Sequence, residues 1–381
     1  MDIYFSDHHM SGSSAPHQGA IILIVASALV LGGWARFCGL NLTYDSMQYL
    51  AAAASLKQSF QLLGADGKPI TYWPPLFPIL LSPYSNPVAA MGILHSVLII
   101  ILGWQLWSLC KGLLLNHWLA AACMAFVLCG VHVTMISAFL WSELWFTIFL
   151  MAFVICLVHP HQKSGLWWAA GFGFLMCLQR NAGIFIVAGA ASYLFFSLPS
   201  RKQLLQSFAW FSIATSGSWA WNLYASFLID SNFRFYQHEF GQHVLHNCRV
   251  IIHPLVRAFL PLPSNISWAA ALAMAALLLY QEKKVKDRSI RLLLSVITAY
   301  LLGMILLFRL DVHDGDRFIA VVLPLVALVT FALLVRCNNN PKKIRLPLAL
   351  VVAVLLTYSG FRTIKNVRLW HNMSCQAETA K

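Results

Sequence analysis

Residues 19–40 read GAIILIVASALVLGGWARFCGL, an apolar run that contains one charged residue, Arg36. A run of this kind is long enough to cross a bilayer as a helix, which takes roughly 20 residues. Ten further apolar runs follow it: 87–110, 117–140, 144–158, 165–178, 182–198, 204–229, 267–280, 292–308, 318–335 and 346–361. The pattern predicts an all-α integral membrane protein with about eleven transmembrane helices.

The composition indicates that lipid, rather than water, is the main solvent of the chain. Hydrophobic residues make up 59% of the 381 residues and charged residues only 10%, whereas a soluble domain carries roughly 25% charged residues. The formal net charge is +13, but many lysines and arginines lie in short loops between apolar runs, which is typical of cytoplasmic retention and not of nucleic-acid binding. The nine cysteines form no spaced framework and no CxxC pair, so we predict neither a disulfide scaffold nor a zinc ribbon.

The basic loops predict the orientation of the protein. If the N-terminus lies in the cytoplasm, the loops QEKKVKDRSIR at 281–291 and RCNNNPKKIR at 336–345 are cytoplasmic too, as the positive-inside rule requires. The long segments 41–86 and 230–265 then lie outside, together with most of the acids. We therefore expect any chemistry on the outer face, and we favour a bacterial inner (plasma) membrane over the endoplasmic reticulum.

The first outer segment begins with TYDSMQYLAAAASLKQSF at 43–60, and Asp45 opens it. Its apolar residues have the spacing of a helix lying in the membrane interface: Met47, Leu50, Ala54 and Phe60. Two compatible interpretations of Asp45 remain open. One is a helix N-cap, with Gln48 completing a capping box. The other is a carboxylate held at the membrane surface as a general base.

The segment ITYWPPLFPILLSPY at 70–84 carries adjacent prolines that cannot lie inside a regular helix, so we predict a loop or a short re-entrant piece. A helix, then an outer Asp in a D-S-x-x-Y context, then a WPPLFP-type segment resembles the polyprenyl-phosphate-dependent glycosyltransferases of the GT-C superfamily. The resemblance is nearest to the branch that contains the protein O-mannosyltransferases and the aminoarabinose transferase of lipid A. Three later segments agree with it: SELWFTIFLMAF at 142–153, GLWWAAGFGFLMCLQRNAGIFIVAGA at 165–190 and DRFIAVVLPLVAL at 316–328.

The resemblance implies one catalytic module over residues 1–335, a GT-C-like bundle that includes both long outer segments. Residues 336–381 would then supply a basic cytoplasmic loop, the last transmembrane helix and a short outer tail. This chain has Ser46 where the mannosyltransferases have a second acid, and no large soluble domain follows the bundle. These departures leave the sugar and the acceptor open.

The resemblance also implies roles for individual residues. Asp45 matches the first-loop catalytic acid that deprotonates the acceptor, and Glu143 matches an acidic position that orients acceptor or donor. Arg180 and Arg317 match basic positions near the lipid phosphate. The further candidate substrate-binding residues are Tyr44, Tyr49, Trp73, Asp316 and His243.

Physical chemistry supports these roles and also offers a simpler interpretation. Transfer of a sugar from a polyprenyl phosphate needs a carboxylate base and cations that stabilise the departing phosphate. Glu143 stands beside Leu144, and its carboxylate would be costly if it were exposed to hydrocarbon. In the simpler interpretation Arg180 and Arg317 snorkel to the interface, or Arg317 pairs with Asp316.

The DVHDGD turn at 311–316 offers carboxylates whose oxygens suit Mg²⁺ or Ca²⁺: Asp311, Asp314 and Asp316. A solvated acidic turn is the simpler interpretation, because the turn lacks EF-hand spacing. His243 and His246 could share a helical face, but zinc would need further ligands. We assign no cofactor and no metal ligand, and a divalent cation remains the alternative.

Together these features predict an inverting glycosyltransferase. It would move a sugar from a polyprenyl-phosphate carrier to a lipid, glycan or protein acceptor at the outer face, with the bilayer as its surroundings and no nucleic-acid partner. One alternative is a transporter or flippase, which would show internal repeats and charges at mid-membrane, and the sequence shows no convincing repeat. The other is a non-catalytic relative that binds polyprenyl lipid.

Overall fold

A computed structural model describes residues 15–113, 116–158, 164–197, 201–228, 240–285, 287–308, 310–311, 314–336 and 341–379. Within these ranges the chain forms fifteen α-helices, and its β pairing is limited to two isolated bridges. The helices are α1 Ala15–Ala35, α2 Tyr44–Ser59, α3 Leu76–Leu81, α4 Pro87–Gly112, α5 His117–Leu128, α6 Val131–Ala138, α7 Glu143–Val158, α8 Gly165–Gln179, α9 Gly183–Ser197, α10 Arg201–Leu228, α11 Phe240–Phe259, α12 Ser264–Val285, α13 Arg288–Leu307, α14 Gly315–Arg336 and α15 Pro341–Thr379. Residues 230–239 of the second outer segment lie outside the described ranges, as do 312 and 313 of the acidic turn.

The all-α membrane architecture is confirmed, but the predicted number of spans is not. Among the described helices, α1, α4, α13, α14 and α15 contain segments that are long and apolar enough to cross a bilayer, and α5 with α6 would make a sixth span bent by 42°. Helices α7, α8 and α9 are apolar but have only 15 or 16 residues. Each would rise about 24 Å or less at 1.5 Å per residue, short of a typical hydrocarbon core of about 30 Å.

The run predicted at 117–140 is broken into α5 and α6 at Gly130. A Cβ at this position would lie 2.3 Å from the carbonyl oxygen of Phe126. Only glycine therefore lets the chain pass so close to the last turn of α5 where the two helices bend.

The last helix is longer than the sequence predicted. The predicted run ended at residue 361 with an outer tail, whereas α15 continues to Thr379. The polar continuation is amphipathic, since one stripe of it is buried at helical spacing: Thr363, Val367, Trp370 and Ser374. Packing of this stripe against the bundle keeps the segment helical.

Helix α14 lies at the centre of the bundle. Its segment Gly315–Leu334 is 89% buried, and it packs against α5, α6, α7, α11 and α13. A helix that is apolar all round needs such a surrounding. Because the acidic turn leads directly into α14, the charged residues of its first turn, Asp316 and Arg317, meet several other helices.

The first outer segment forms α2 and α3, which pack against each other. Residue Thr43, not Asp45, is the N-cap of α2, and Ser46 rather than Gln48 completes the capping box. The predicted N-cap role of Asp45 is therefore wrong. Asp45 stands instead in the first turn of α2, where a carboxylate interacts favourably with the helix dipole.

One disulfide was not predicted from the sequence, although the described cysteines form no disulfide scaffold. Cys38, just after α1, is bonded to Cys375 near the end of α15 across 337 residues of sequence. The ring of His371 adds a contact, with its Nδ1 3.1 Å from the carbonyl oxygen of Trp34. The disulfide therefore joins the first and the last described helices on one side of the bundle.

Candidate active site

The start of α2 is attached to the link between α6 and α7. The backbone N–H of Asn41 donates to the carbonyl of Ala138 at 2.9 Å, and the N–H of Leu140 donates to the carbonyl of Asn41 at 3.0 Å. These two bonds bring the first turn of α2 next to the first turn of α7. Asp45 and Glu143 are thereby placed near each other although 98 residues separate them.

Ser46 strengthens this attachment from inside. Its buried hydroxyl donates to the carbonyl of Leu140 at 3.0 Å and accepts from the N–H of Thr43 at 3.0 Å. The indole N–H of Trp141 donates to the Thr43 hydroxyl at 2.9 Å. The side chain after Asp45 is thus buried and faces the Leu140 carbonyl oxygen. A carboxylate at this position would be repelled by that oxygen.

Two carboxylates and two guanidinium groups meet at this place, and we refer to Asp45, Glu143, Arg180 and Arg317 as the charged cluster. Arg317 Nη1 donates to Asp45 Oδ2 at 2.5 Å. Arg317 Nε and Arg180 Nη1 both donate to the same oxygen of Glu143, Oε1. The charges of the cluster balance, two negative against two positive, and Glu143 joins the two arginines.

The four side chains differ in exposure. The side chain of Glu143 is 0% exposed, Arg317 9%, Arg180 16% and Asp45 21%. Asp45 is therefore the carboxylate that a substrate can reach, whereas Glu143 lies behind the arginines. Two buried polar atoms of the cluster have no hydrogen-bond partner within the described residues: the acceptor Glu143 Oε2 and the donor Arg317 Nη2.

Aromatic rings and polar groups hold the two arginines in place. The guanidinium of Arg317 lies over the ring of Trp141 at 4.6 Å, and that of Arg180 over Phe318 at 5.1 Å. Such cation–π contacts stabilise by about 0.5–2 kcal/mol each. Ser142 adds a third support, since its hydroxyl accepts from Arg180 Nη1 at 3.3 Å. Both guanidinium planes are thus fixed before any substrate arrives.

An aromatic surface stands beside Asp45, formed by Tyr44, Tyr49, Tyr72 and Trp73. The ring centre of Trp73 lies 6.2 Å from that of Tyr44 and 6.1 Å from that of Tyr49. Tyr44 is 72% exposed. Tyr49 is buried, with its hydroxyl 3.5 Å from Ser142 Oγ, and burial raises the pKa of its phenol to about 12. The Tyr49 phenol therefore keeps its proton at neutral pH.

Two of the predicted site residues face other partners. Asp316 binds Arg257 and Arg362 and lies 3.3 Å from His132 Nε2, so the predicted alternative of an Arg317–Asp316 pair is wrong. The Nε2 atom of His243 lies 2.7 Å from the carbonyl oxygen of Phe308 at the end of α13.

The carboxylates of the acidic turn do not converge on one site among the described residues. Asp314 turns back on Asp311, with its N–H donating to the Asp311 carbonyl at 3.0 Å, whereas Asp316 points to Arg257 and Arg362. Burial raises the pKa of the Asp314 carboxyl. Within the described ranges, no group of three His, Cys, Asp or Glu side chains could hold a metal ion.

Sequence reasoning missed several polar residues of this region. Ser142 and Gln179 flank Glu143 and Arg180 in the sequence, and the Gln179 amide donates to the Ser142 carbonyl at 3.3 Å. Their proximity to those predicted residues was the signal that could have identified them. For Arg257 and Arg362 no such signal exists, since they reach Asp316 across 59 and 46 residues.

The sequence matches no protein-family model and no curated protein sequence. By fold the chain is similar to ArnT from Cupriavidus metallidurans bound to undecaprenyl phosphate, with a TM-score of 0.57 and 12% identity over 94% of this chain and 76% of that one. It is similar to ArnT in the apo state, with a TM-score of 0.61 and 11% identity over 94% of this chain and 78% of that one. The apo oligosaccharyltransferase from Archaeoglobus fulgidus matches with a TM-score of 0.58 and 13% identity, over 94% of this chain but only 56% of its own length.

Both ArnT and the oligosaccharyltransferase are members of the GT-C superfamily. The chain therefore shares its fold with proteins of the superfamily that its motifs resemble. At these identities the likeness establishes the fold, and the chemistry has to be argued from the site itself.

Proposed function

We propose that this protein is a membrane glycosyltransferase that moves a sugar from a polyprenyl-phosphate carrier to an acceptor hydroxyl with inversion. The observation that carries the proposal is the ion pair of Asp45 with Arg317, in which a reachable carboxylate and a fixed guanidinium stand side by side. The fold supports it, because ArnT shares this fold and binds undecaprenyl phosphate.

Asp45 is suited to act as the general base. Its Oδ2 atom is bound by Arg317, which orients the carboxylate. Its Oδ1 atom has no hydrogen bond to any residue within the described ranges, and the side chain is partly exposed. A base must lie within hydrogen-bond reach of the proton that it removes, and Oδ1 can accept the proton of an acceptor hydroxyl.

The arginines are suited to stabilise the departing lipid phosphate. A guanidinium has five N–H donors, and Arg180 uses only Nη1 in its contacts with Glu143 and Ser142. Its remaining donors can bind phosphate oxygens in the bidentate geometry that arginine favours. Because the guanidinium is already held over Phe318, little reorganisation accompanies the development of charge.

Glu143 acts through the arginines rather than on the substrate. It is fully buried and accepts hydrogen bonds from both guanidinium groups. A buried carboxylate between two cations sets their separation and offsets their mutual repulsion. We assign it as a positioning residue.

The aromatic surface offers a place for the sugar. Tyr44 precedes Asp45 in the chain, and its ring lies 6.2 Å from that of Trp73. Aromatic rings together with a few polar groups are typical of small-molecule sites. In this arrangement a sugar ring packs on the exposed aromatic faces while its anomeric carbon faces Arg180 and the acceptor lies near Asp45.

The disulfide supports an outward-facing site. Disulfides form and persist in oxidising compartments such as the bacterial periplasm and are rare in the cytosol. The first outer segment, which carries Asp45, follows Cys38 by only a few residues. A disulfide at Cys38 thus favours an outer location for the site, in a bacterial inner membrane as we propose or equally in the endoplasmic reticulum.

The test is turnover of defined donors by the purified protein in lipid nanodiscs. Polyprenyl-phosphate sugars of several kinds are offered with short-chain lipid, glycan and peptide acceptors, and released polyprenyl phosphate and glycoside are measured by mass spectrometry. We expect one donor class to be consumed, with a product of inverted anomeric configuration by NMR. Binding of the donors without release of polyprenyl phosphate would instead identify a non-catalytic lipid-binding protein.

A further inference from the structure

A second group of charged residues lies beside the charged cluster, where the start of α14 meets α11 and α15. Asp316 and Arg317 are neighbours in the first turn of α14, yet Arg317 binds Asp45 and Glu143 whereas Asp316 binds Arg257 and Arg362. Around Asp316 the structure has a cavity of about 270 Å³. A volume of this size holds many waters, since one water needs about 10–15 Å³ of such space.

The walls of this cavity come from four helices: α6, α11, α14 and α15. Its charged and imidazole side chains are His132, Arg257, Asp316, Arg362 and Lys365. Arg257, Arg362 and Lys365 carry three positive charges, and Asp316 carries the single opposing charge. With His132 neutral, two positive charges are in excess, in contrast to the balanced charged cluster.

The cationic groups of the cavity have N–H donors that no described residue uses. Arg362 is fixed by two contacts, from Nη1 to the Arg257 carbonyl at 3.1 Å and from Nη2 to Asp316 Oδ1 at 3.0 Å. Arg257 Nε is buried and has no hydrogen-bond partner within the described residues. Lys365 is exposed and makes no ion pair with a described residue. Two oriented guanidinium groups and an exposed ammonium group form the donor set that phosphate oxygens require.

The position along α15 matches the headgroup region of a bilayer. The apolar run of this helix ends at residue 361, and the basic residues Arg362 and Lys365 follow at once. Basic side chains that directly follow the apolar part of a membrane-spanning helix can reach the lipid headgroups and attract anionic ones. The cavity is therefore accessible to a phosphate carried by a lipid and to a soluble one.

We infer that this cavity binds a phosphate group, either of an anionic lipid headgroup or of a soluble phosphate compound. The inference does not depend on glycosyl transfer, because none of the cavity's basic residues belongs to the charged cluster. The bound phosphate is held by Arg257, Arg362 and Lys365, and Asp316 bridges the two arginines.

The experiment compares the purified wild-type protein with Lys365→Gln, Lys365→Glu and, as the matched control, Arg368→Gln. Arg368 is exposed on the same helix but does not line the cavity, so its loss removes the same charge without touching the site. Titration calorimetry measures binding of inorganic phosphate and pyrophosphate. Native mass spectrometry measures lipid retained from nanodiscs of phosphatidylglycerol or of phosphatidylcholine.

We expect Lys365→Gln to weaken phosphate binding roughly tenfold, the loss of one charge-assisted contact, and Lys365→Glu to weaken it further. Arg368→Gln should stay within about twofold of the wild type, as an exposed charge outside the site. Selective retention of phosphatidylglycerol identifies a lipid headgroup as the source, and binding of inorganic phosphate or pyrophosphate identifies a soluble one. Equal binding by all four proteins, or no binding of any phosphate by the wild type, would overturn the inference. Melting temperatures without ligand show that each variant is folded.

Discussion

Arg317 Nη1 lies 2.5 Å from Asp45 Oδ2, although 272 residues separate them in the chain. The pair joins the first outer segment to the central helix α14, and Glu143 and Arg180 complete the same cluster. Because α14 is surrounded by other helices, Arg317 has little freedom to leave its partners. Changes at this site should therefore affect both stability and activity.

Replacement of Arg317 by lysine should abolish most activity although the charge is kept. Arg317 binds Asp45 through Nη1 and Glu143 through Nε, and a single ammonium group cannot reproduce that fork. We expect sugar transfer to fall by about 10²–10³-fold, the loss typical of one transition-state donor. Steady-state transfer rates in nanodiscs provide the measurement, and activity within a few-fold of wild type would contradict the assignment.

Replacement of Glu143 by glutamine should mainly reduce stability. The substitution leaves Arg180 and Arg317 buried side by side without their shared negative charge. Removing one partner of a buried ion pair costs about 3–5 kcal/mol. Thermal unfolding in detergent should show a large fall in melting temperature for Glu143→Gln. Asp66 is exposed, so the control variant Asp66→Asn should show no such fall.

The double variant Glu143→Gln with Arg180→Gln separates this electrostatic effect from simple loss of packing. If Glu143 positions the arginines, the double variant should lose less stability than the sum of the two single variants, because neighbouring charges are coupled. Additive losses would show that Glu143 and Arg180 act independently.

Replacement of Ser46 by aspartate tests why a second acid is missing after Asp45. Ser46 is fully buried and its hydroxyl donates to the Leu140 carbonyl. A carboxylate there would lose that bond and face a carbonyl oxygen, and an unsatisfied buried charge costs at least about 1–3 kcal/mol. We expect lower melting temperature and lower yield, with Ser46→Ala intermediate. A Ser46→Asp variant as stable as wild type would show that the position is open to acids.

The disulfide predicts a specific labelling pattern. Cys38 and Cys375 should react with a maleimide only after reduction, whereas the free thiol of Cys248, which is partly exposed, should react without it. Removing a cross-link that closes so long a loop should cost about 2–5 kcal/mol, measured by unfolding of the Cys38→Ser variant. Labelling of Cys38 in the unreduced protein would disprove the bond.

The residues of the charged cluster could be predicted from the sequence, because charged residues are few and the motifs occur in a recognisable order. Charged residues are rare in this chain, so Asp45, Glu143, Arg180 and Arg317 stood out at the ends of apolar runs. Their motif order matched a known superfamily, and the structure brings all four together. The GT-C fold was predicted for the same reason.

Other features could not be predicted, because they depend on partners distant in the chain. Thr43 rather than Asp45 caps α2 because Trp141 and Leu140 bind this turn from another segment. Asp316 turns away from its neighbour Arg317 because Arg257 and Arg362 arrive from α11 and α15. The predicted number of spans is not confirmed, since hydropathy alone does not show that α7, α8 and α9 are short helices.

The central claim is that Asp45 removes the proton of the acceptor, and a comparison of Asp45→Asn with Asp66→Asn tests it most directly. Both residues are acids of the first outer segment, but only Asp45 contacts Arg317, and asparagine keeps its size. Transfer from a radiolabelled polyprenyl-phosphate sugar is measured for folded wild type and both variants in nanodiscs. We predict that Asp45→Asn loses at least about 10²-fold in rate, the lower range for a lost general base, while Asp66→Asn keeps wild-type activity. Equal activity of Asp45→Asn and wild type would contradict the account, because the carboxylate would then have no part in proton removal.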